Sequence, residues 1–223
     1  MTQKQPEKQV VLITGASSGI GKCTAEHLSR KGYKVYGTSR RPGSYPEPEH
    51  FFLMKADVRD ELSVKMAVEE IIEKEQRIDI LINNAGYGVG GAIENMDPEM
   101  VKAQFDTNFF GAFSVLHHVL PHMMKRGSGL IINMSSIGGL IGLPYQGVYS
   151  ASKFALEGLT ESLYKELLSS GIHVVLIEPG DFRTGFTASR ELIVSKEGTD
   201  RFEESRKVIE KDEQSGRPPE KIA

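Results

Sequence analysis

Tyr149 and Lys153 stand four positions apart in the stretch VYSASKFALEGLTESLYKELL, which runs from Val148 to Leu168. Residues i and i+4 lie one above the other on a helix face, so this spacing sets a phenol beside an ammonium. Free tyrosine ionises near pH ~10, and a cation a few ångströms away favours the phenolate. A phenol tuned in this way can exchange a proton with the oxygen of an alcohol or ketone. On a surface helix the same pair would be only a solvated couple, so its meaning depends on what is built around it. Ser136 lies thirteen residues upstream of Tyr149, at the end of an apolar run. Its hydroxyl could hydrogen-bond a substrate oxygen or cap a turn.

The elements that must position these groups follow an alternating pattern. Short apolar runs occur at Gln9–Thr14, Tyr33–Thr38, Phe51–Ala56, Ile80–Asn83, Leu130–Ser135 and Val174–Glu178. Between them fall helical patterns near Ile20–Lys31, Glu61–Glu75 and Pro98–Lys125, besides the stretch that carries Tyr149. Strand and helix in alternation predict a parallel sheet covered on both faces, a doubly wound α/β (Rossmann) fold with right-handed crossovers. The segment Phe109–Met124 is apolar almost all round. Such a helix is expected to meet two buried surfaces, either both internal or one belonging to a partner subunit. After Thr184 the pattern loosens into Phe186–Val194 and a charged helix at Asp200–Lys211.

The first strand leads through Thr14-Gly15-Ala16-Ser17-Ser18-Gly19-Ile20-Gly21 straight into a helix. Glycines there permit a tight turn and let the backbone approach a pyrophosphate, which the helix N-terminus stabilises. Arg40 and Arg41 follow the second strand. An acid at that place would take the ribose hydroxyls of NAD, whereas a guanidinium suits the 2′-phosphate of NADP; the alternative is a pair of solubilising loop charges. Asp57 after the third strand and Asn83-Asn84-Ala85-Gly86 at the end of the fourth also fall at carboxyl ends, where open α/β sheets bind ligands.

Composition narrows the classes. With 223 residues, 39% apolar and 26% charged, the chain has the make-up of a soluble single globular domain. A formal net charge of −3 gives no general attraction to nucleic acid or anionic membrane. No apolar run approaches the roughly 18–20 residues of a membrane span, and the polar N-terminus has no signal-peptide core. A single cysteine, Cys23, excludes an internal disulfide and agrees with a cytoplasmic location. His118 and His122 share a helix face, but no glutamate follows the first as a zinc-protease motif requires, so no metal is expected.

Taken together, TGASSGIG at 14–21, Asp57-Val58, NNAG at 83–86, Asn108, Ser136, YSASK at 149–153 and PGDFRT at 179–184 resemble the short-chain dehydrogenase/reductase family. The likeness covers about Val10 to Thr184, and VYSASKFALEGLTESL is similar to the hydroxysteroid and retinol dehydrogenase branch. It implies that Tyr149 is the acid/base, that Lys153 supports it and holds the nicotinamide ribose, that Ser136 orients the substrate oxygen, and that Asn108 holds a relay water. It further implies NADP(H) lying against Gly15, Ser17, Ser18, Gly19 and Ile20, with Arg40 at the 2′-phosphate and Ser18 and Arg41 beside it. Asp57 and Val58 would border adenine, and Asn84, Ala85, Gly86, Pro179, Gly180 and Thr184 the ribose and nicotinamide. The apolar neighbours Tyr87, Val89, Ile137, Leu140, Leu143, Tyr145 and Phe186 would wall a hydrophobic carbonyl or alcohol such as a steroid, retinoid or lipid.

The expectation is therefore an NADP(H)-dependent oxidoreductase acting as a homodimer or homotetramer. One Rossmann domain would span 1–223, with a helical substrate lid at about 185–212. A non-catalytic NADP-binding protein, or an NAD-preferring dehydrogenase, is the alternative. The family usually continues with another helix and a seventh strand. Here Arg217–Ala223 reads as a helix start, so either the sequence is incomplete or that edge of the sheet is missing.

Overall fold

The computed structural model describes residues 8–184, 190–193 and 200–222. Phe186 and the parts of the expected lid at 185–189 and 194–199 lie outside the described residues. Strands β1 (Val10–Ile13), β2 (Lys34–Ser39), β3 (Phe52–Lys55) and β4 (Ile80–Asn83) are joined by helices α1 (Gly19–Arg30) and α2 (Glu61–Glu75). A short β5 (Val89–Gly90) precedes α3 (Pro98–Phe105), a π-turn at Asp106–Phe110, and α4 (Gly111–Arg126). Then come β6 (Gly129–Met134), α5 (Gly147–Glu166), β7 (Ile172–Ile177), β8 (Glu191–Leu192) and α6 (Asp200–Ser215). Six strands form one parallel sheet in the order β3-β2-β1-β4-β6-β7, the expected doubly wound arrangement.

Alternation along the central strands divides the core between two faces. Val10 and Leu12 point to the layer of α2 and α4, where Val64, Val68, Ile71, Val115, Val119 and Met123 are buried with them. Val11 and Ile13 point the other way, to Ala25 of α1 with Val35 and Phe51. Both layers are needed because all four residues of β1 are buried. Strand order reverses between β1 and β4, and their carboxyl ends open a crevice there.

Three features differ from the sequence reading. The long helical region expected around Pro98–Lys125 is interrupted by the π-turn, and β5 with β8 makes a separate two-stranded parallel ladder. Helix periodicity cannot see one extra residue in a turn, and strands of two residues carry no period at all. The segment read as a helix start is a single 3₁₀ turn at Pro219–Lys221, with Ile222 packed on the α1 side of the core. Phe110, which caps α4, and Phe113 and Met124 on it are exposed, so this helix is buried on its sheet side and apolar on its outer one.

A polar clamp closes the amino end of the sheet. Asp79, 5% exposed, accepts the Val10 N–H at 2.8 Å, Arg77 Nε at 2.8 Å and Arg126 Nη2 at 2.6 Å. Burial pushes this carboxyl up, but Arg77, the Val10 amide and Arg126 outweigh it and hold the group below the usual range. A depressed folded value stabilises above the ordinary carboxylate range and is lost as pH falls through it. Asp79→Ala is expected to cost about 1–3 kcal/mol in urea unfolding at pH 7, the penalty for stranding buried partners, and less below pH ~4.

Candidate active site

Thr14 and Asn84 stitch the two walls of the crevice together. Thr14 Oγ1 accepts the N–H groups of Asn84 and Ala85, both at 3.0 Å, while Asn84 Nδ2 donates to the carbonyls of Thr14 at 2.9 Å and Gly15 at 3.2 Å. That closeness explains two glycines. A Cβ on Gly15, whose φ is +69°, would stand 2.9 Å from Ala85 Cα, and one on Gly21 would stand 2.4 Å from Asn84 Nδ2.

The start of α1 suits an anion. Ser18 is its N-cap but makes no side-chain cap bond, and no acid occupies the first turn. By contrast α2 is capped by Asp60 and carries Glu61 in its first turn. The leading amides and positive dipole end of α1 are thus left for another acceptor, as a dinucleotide diphosphate would be. Gly19, with φ +55°, faces Thr184 across this point, where a Cβ would lie 3.6 Å from Thr184 Cβ. Ser17, Ser18 and Ile20 line the same turn, so the glycine-loop residues and Thr184 gather at one place.

At the outer end of the crevice, exposed Arg40 follows β2 and Asp57 follows β3. The Asp57 carboxylate takes Arg59 Nε at 3.1 Å and Nη2 at 2.7 Å. The hydrogen bond from Arg59, with the charges of Arg59 and Arg40, holds Asp57 below the usual carboxylate range despite partial burial. Val58 is turned inward: it is 7% exposed and packs on Gly111, where a Cβ would come within 2.7 Å of its side chain.

The inner end is where α5 meets the sheet. Tyr149 and Lys153 are 7% and 5% exposed, with Lys153 Nζ 5.9 Å from the centre of the Tyr149 ring. Lys153 Nζ donates to the Met134 carbonyl at the end of β6, at 2.7 Å. Burial pushes the ammonium down to about 8, against the opposing charge of Glu157. Gly86 and Asn108 close this space: a Cβ on Gly86 would lie 3.2 Å from Asn108 Oδ1 and 3.7 Å from Lys153 Nζ.

Asn108 is presented by the π-turn and 1% exposed. Its amide exchanges bonds with Tyr87, taking the N–H at 3.1 Å and giving to the carbonyl at 3.0 Å, and it donates to Ser152 Oγ at 3.1 Å. One turn earlier Gln104 repeats the clamp, donating to the Tyr87 carbonyl at 2.6 Å and accepting the Val89 N–H at 2.7 Å.

Ser136 caps the 3₁₀ turn Ile137–Gly139, its Oγ accepting the Gly138 N–H at 3.1 Å. That turn lies along α5. A Cβ on Gly138 would be 3.1 Å from the Tyr149 ring, and one on Gly139 would be 2.5 Å from Ser135 Oγ and 2.9 Å from Glu157 Oε1. Ser136 thus caps a turn that packs on Tyr149 through Gly138. Pro179 is tied in through its carbonyl, which accepts the Ile137 N–H at 3.1 Å, and a Cβ on Gly180 would touch Ile137.

Ile137 and Leu140 present exposed apolar surface beside this turn, as does Ile141. Val89 does not: at 1% exposure inside β5 it belongs to the core and not to a substrate wall. Gln104, Arg59 and Glu157 escaped the sequence reading, and Thr14 entered it only as the start of the glycine turn. Glu157 alone had a visible signal, standing one helical turn beyond Lys153 on the same face.

Comparison with known proteins agrees with this geometry. The family model described as short chain dehydrogenase matches residues 9–192. The chain is 49% identical over 220 residues to a 3-ketodihydrosphingosine reductase of Bacteroides thetaiotaomicron, covering 97% of this chain and 81% of that one. It is 42% identical over 194 residues to the human 17-beta-hydroxysteroid dehydrogenase type 1, covering 80% of this chain and 58% of the human one. The solved structure of ElxO with NADP bound superposes with a TM-score of 0.78 at 29% identity, covering 97% of this chain and 88% of that one. The crevice, the paired phenol and ammonium, and the span of these likenesses lead to one conclusion: the chain belongs to the short-chain dehydrogenase family of NAD(P)-binding oxidoreductases acting on CH–OH groups.

Proposed function

We propose that this protein is an NADP(H)-dependent oxidoreductase that interconverts a carbonyl and an alcohol on a hydrophobic substrate, with Tyr149 as acid and base. The observation that carries this reading is the burial of Tyr149 and Lys153 together on α5, against the turn headed by Ser136. When bound, the nicotinamide supplies or accepts hydride. The chain's own residues do the rest. Gly15, Ser17, Ser18, Gly19, Ile20 and the amides of α1 hold the diphosphate, and Asn84, Ala85, Gly86, Pro179, Gly180 and Thr184 form the wall on which the ribose and nicotinamide rest. Asp57 and the backbone of Val58, whose side chain is turned into the core, border the adenine.

Ser136 orients the substrate oxygen toward the Tyr149 hydroxyl, which gives it a proton during reduction and takes one back during oxidation. The Lys153 ammonium stabilises negative charge on the phenol oxygen, and the Met134 carbonyl fixes its direction. Asn108 holds the loop at Tyr87 and Gly86 in place beside Lys153 and offers a relay route outward.

Arg40 supports NADP over NAD, since a guanidinium after β2 complements a phosphate. The likeness to a 3-ketodihydrosphingosine reductase and to a 17-beta-hydroxysteroid dehydrogenase supports a sphingoid or steroid-like ketone. The exposed Ile137, Leu140 and Ile141 favour the same class. Exposed Phe110 at the end of the π-turn, Phe113 on α4, and Phe154 and Tyr164 on α5 support a homodimer or homotetramer.

Turnover of long-chain and steroid ketones, followed by loss of reduced-nicotinamide absorbance, is the direct test. Tyr149→Phe is expected to lower kcat by about 10²–10⁴ while NADPH still binds; full turnover in that variant would overturn the assignment. Arg40→Ala should raise the KM for NADPH by about tenfold and change that for NADH little, since it removes a contact to the phosphate only. The lysine gives a pH test. Lys153 loses its proton as pH rises through about 8, and Glu157 opposes that loss. In Glu157→Gln the alkaline fall in the reduction rate should therefore begin at lower pH than in the wild type, and an unmoved profile would show that Glu157 does not act on Lys153.

A further inference from the structure

Arg59 is an exposed cation that no part of the reaction requires, yet it is bound to a residue of the cofactor crevice in a defined way. Its Nε and Nη2 meet the two oxygens of Asp57 at 3.1 and 2.7 Å, and its own backbone N–H adds a third contact to Oδ1 at 3.1 Å. The backbone beneath is fixed as well, because the Asp57 N–H donates to Ser63 Oγ of α2 at 3.1 Å. A fork-to-fork pair of this kind spends the negative charge of the carboxylate along a fixed direction.

Arg40 and Asp57 follow neighbouring strand ends, since Ser39 of β2 pairs with Lys55 of β3, and the charge of Arg40 helps to hold the Asp57 carboxyl down. Asp106, at the head of the π-turn, adds a weaker negative influence on Arg59 and Tyr87. The carboxyl ends of β2, β3 and β4 thus bring Arg40, Asp57, Arg59 and Tyr87 to one mouth of the crevice. Without Arg59, the Asp57 charge would face Arg40 and weaken its hold on an incoming phosphate.

We propose that Arg59 is a specificity-determining residue for the nucleotide: by pairing with Asp57 it keeps the charge of Arg40 available to a 2′-phosphate. The inference rests on the NADP reading above. It assigns to Arg59 a part in choosing between phosphorylated and unphosphorylated adenosine, without contact with the reacting atoms.

Binding, measured without turnover, tests it. Wild type, Arg59→Ala, Arg59→Lys and Asp57→Asn/Arg59→Ala are titrated with NADPH and NADH by cofactor fluorescence, and with 2′,5′-ADP and 5′-AMP by calorimetry. Arg59→Ala is expected to weaken NADPH and 2′,5′-ADP about three- to tenfold and NADH and 5′-AMP less than about twofold, with the loss shrinking in high salt. The double variant should recover most of the loss, because no anion remains to be neutralised, and Arg59→Lys should keep part of it. Equal weakening of all four ligands, or no weakening of any, would overturn the proposal, as would a double variant no better than Arg59→Ala. A wild type that binds NADH more tightly than NADPH would instead overturn the NADP preference. In that case the Arg59 effect is still read from the ratio of NADPH to NADH affinities in each variant.

Discussion

A buried ammonium is the constraint around which this molecule is arranged. Taking the Lys153 charge out of water costs several kcal/mol before any partner is counted. The Met134 carbonyl of β6 offsets part of that cost, and the Glu157 carboxyl and the face of Tyr149, both on α5, offset more. Met134 can do so only because β6 ends there and Glu157 only because α5 continues another turn, while Gly86 leaves room for the ammonium because it has no side chain. A lysine in this position therefore tests whether sheet, helix and loop have met in register.

The opposite end of the crevice shows a second economy. Thr14 and Asn84 use backbone and side chain together to bind the ends of β1 and β4, so the glycine turn takes its shape from the neighbouring strand. Because α1 receives neither a side-chain cap nor an acid in its first turn, its positive end is kept for a ligand. α2, one crossover later and on the other face of the sheet, is capped by Asp60 and carries Glu61 in its first turn, and keeps nothing. The two helices thus differ in what their first turns leave for a ligand.

Much of this was legible in the sequence because it depends on periods and on rare residue orders. Six apolar runs became six strands of one sheet, and YSASK placed its tyrosine and lysine on one helix face, since both signals are local. What the sequence hid depends on groups far apart in the chain. The pairing of Thr14 with Asn84 spans seventy positions, and the clamp of Gln104 and Asn108 on the loop at Tyr87 requires knowing where α3 lies. Val89 reads as an exposed apolar loop residue until β8 pairs with it and buries it. The π-turn left no trace, because an extra residue in a helix alters the period less than ordinary variation in composition does.

That π-turn has a consequence for how this chain can change length. A helix turn normally rotates side chains by about 100° per residue, so one additional residue within Asp106–Phe110 sets the angular phase of everything beyond it. Deleting one residue would restore a regular helix and also swing the sheet-facing row of α4, Val115, Val119 and Met123, away from the core. It would withdraw Asn108 from Tyr87 at the same stroke. Insertions and deletions are usually absorbed in loops. Here a helical segment holds a length that cannot drift, because packing and site are phased by the same extra residue.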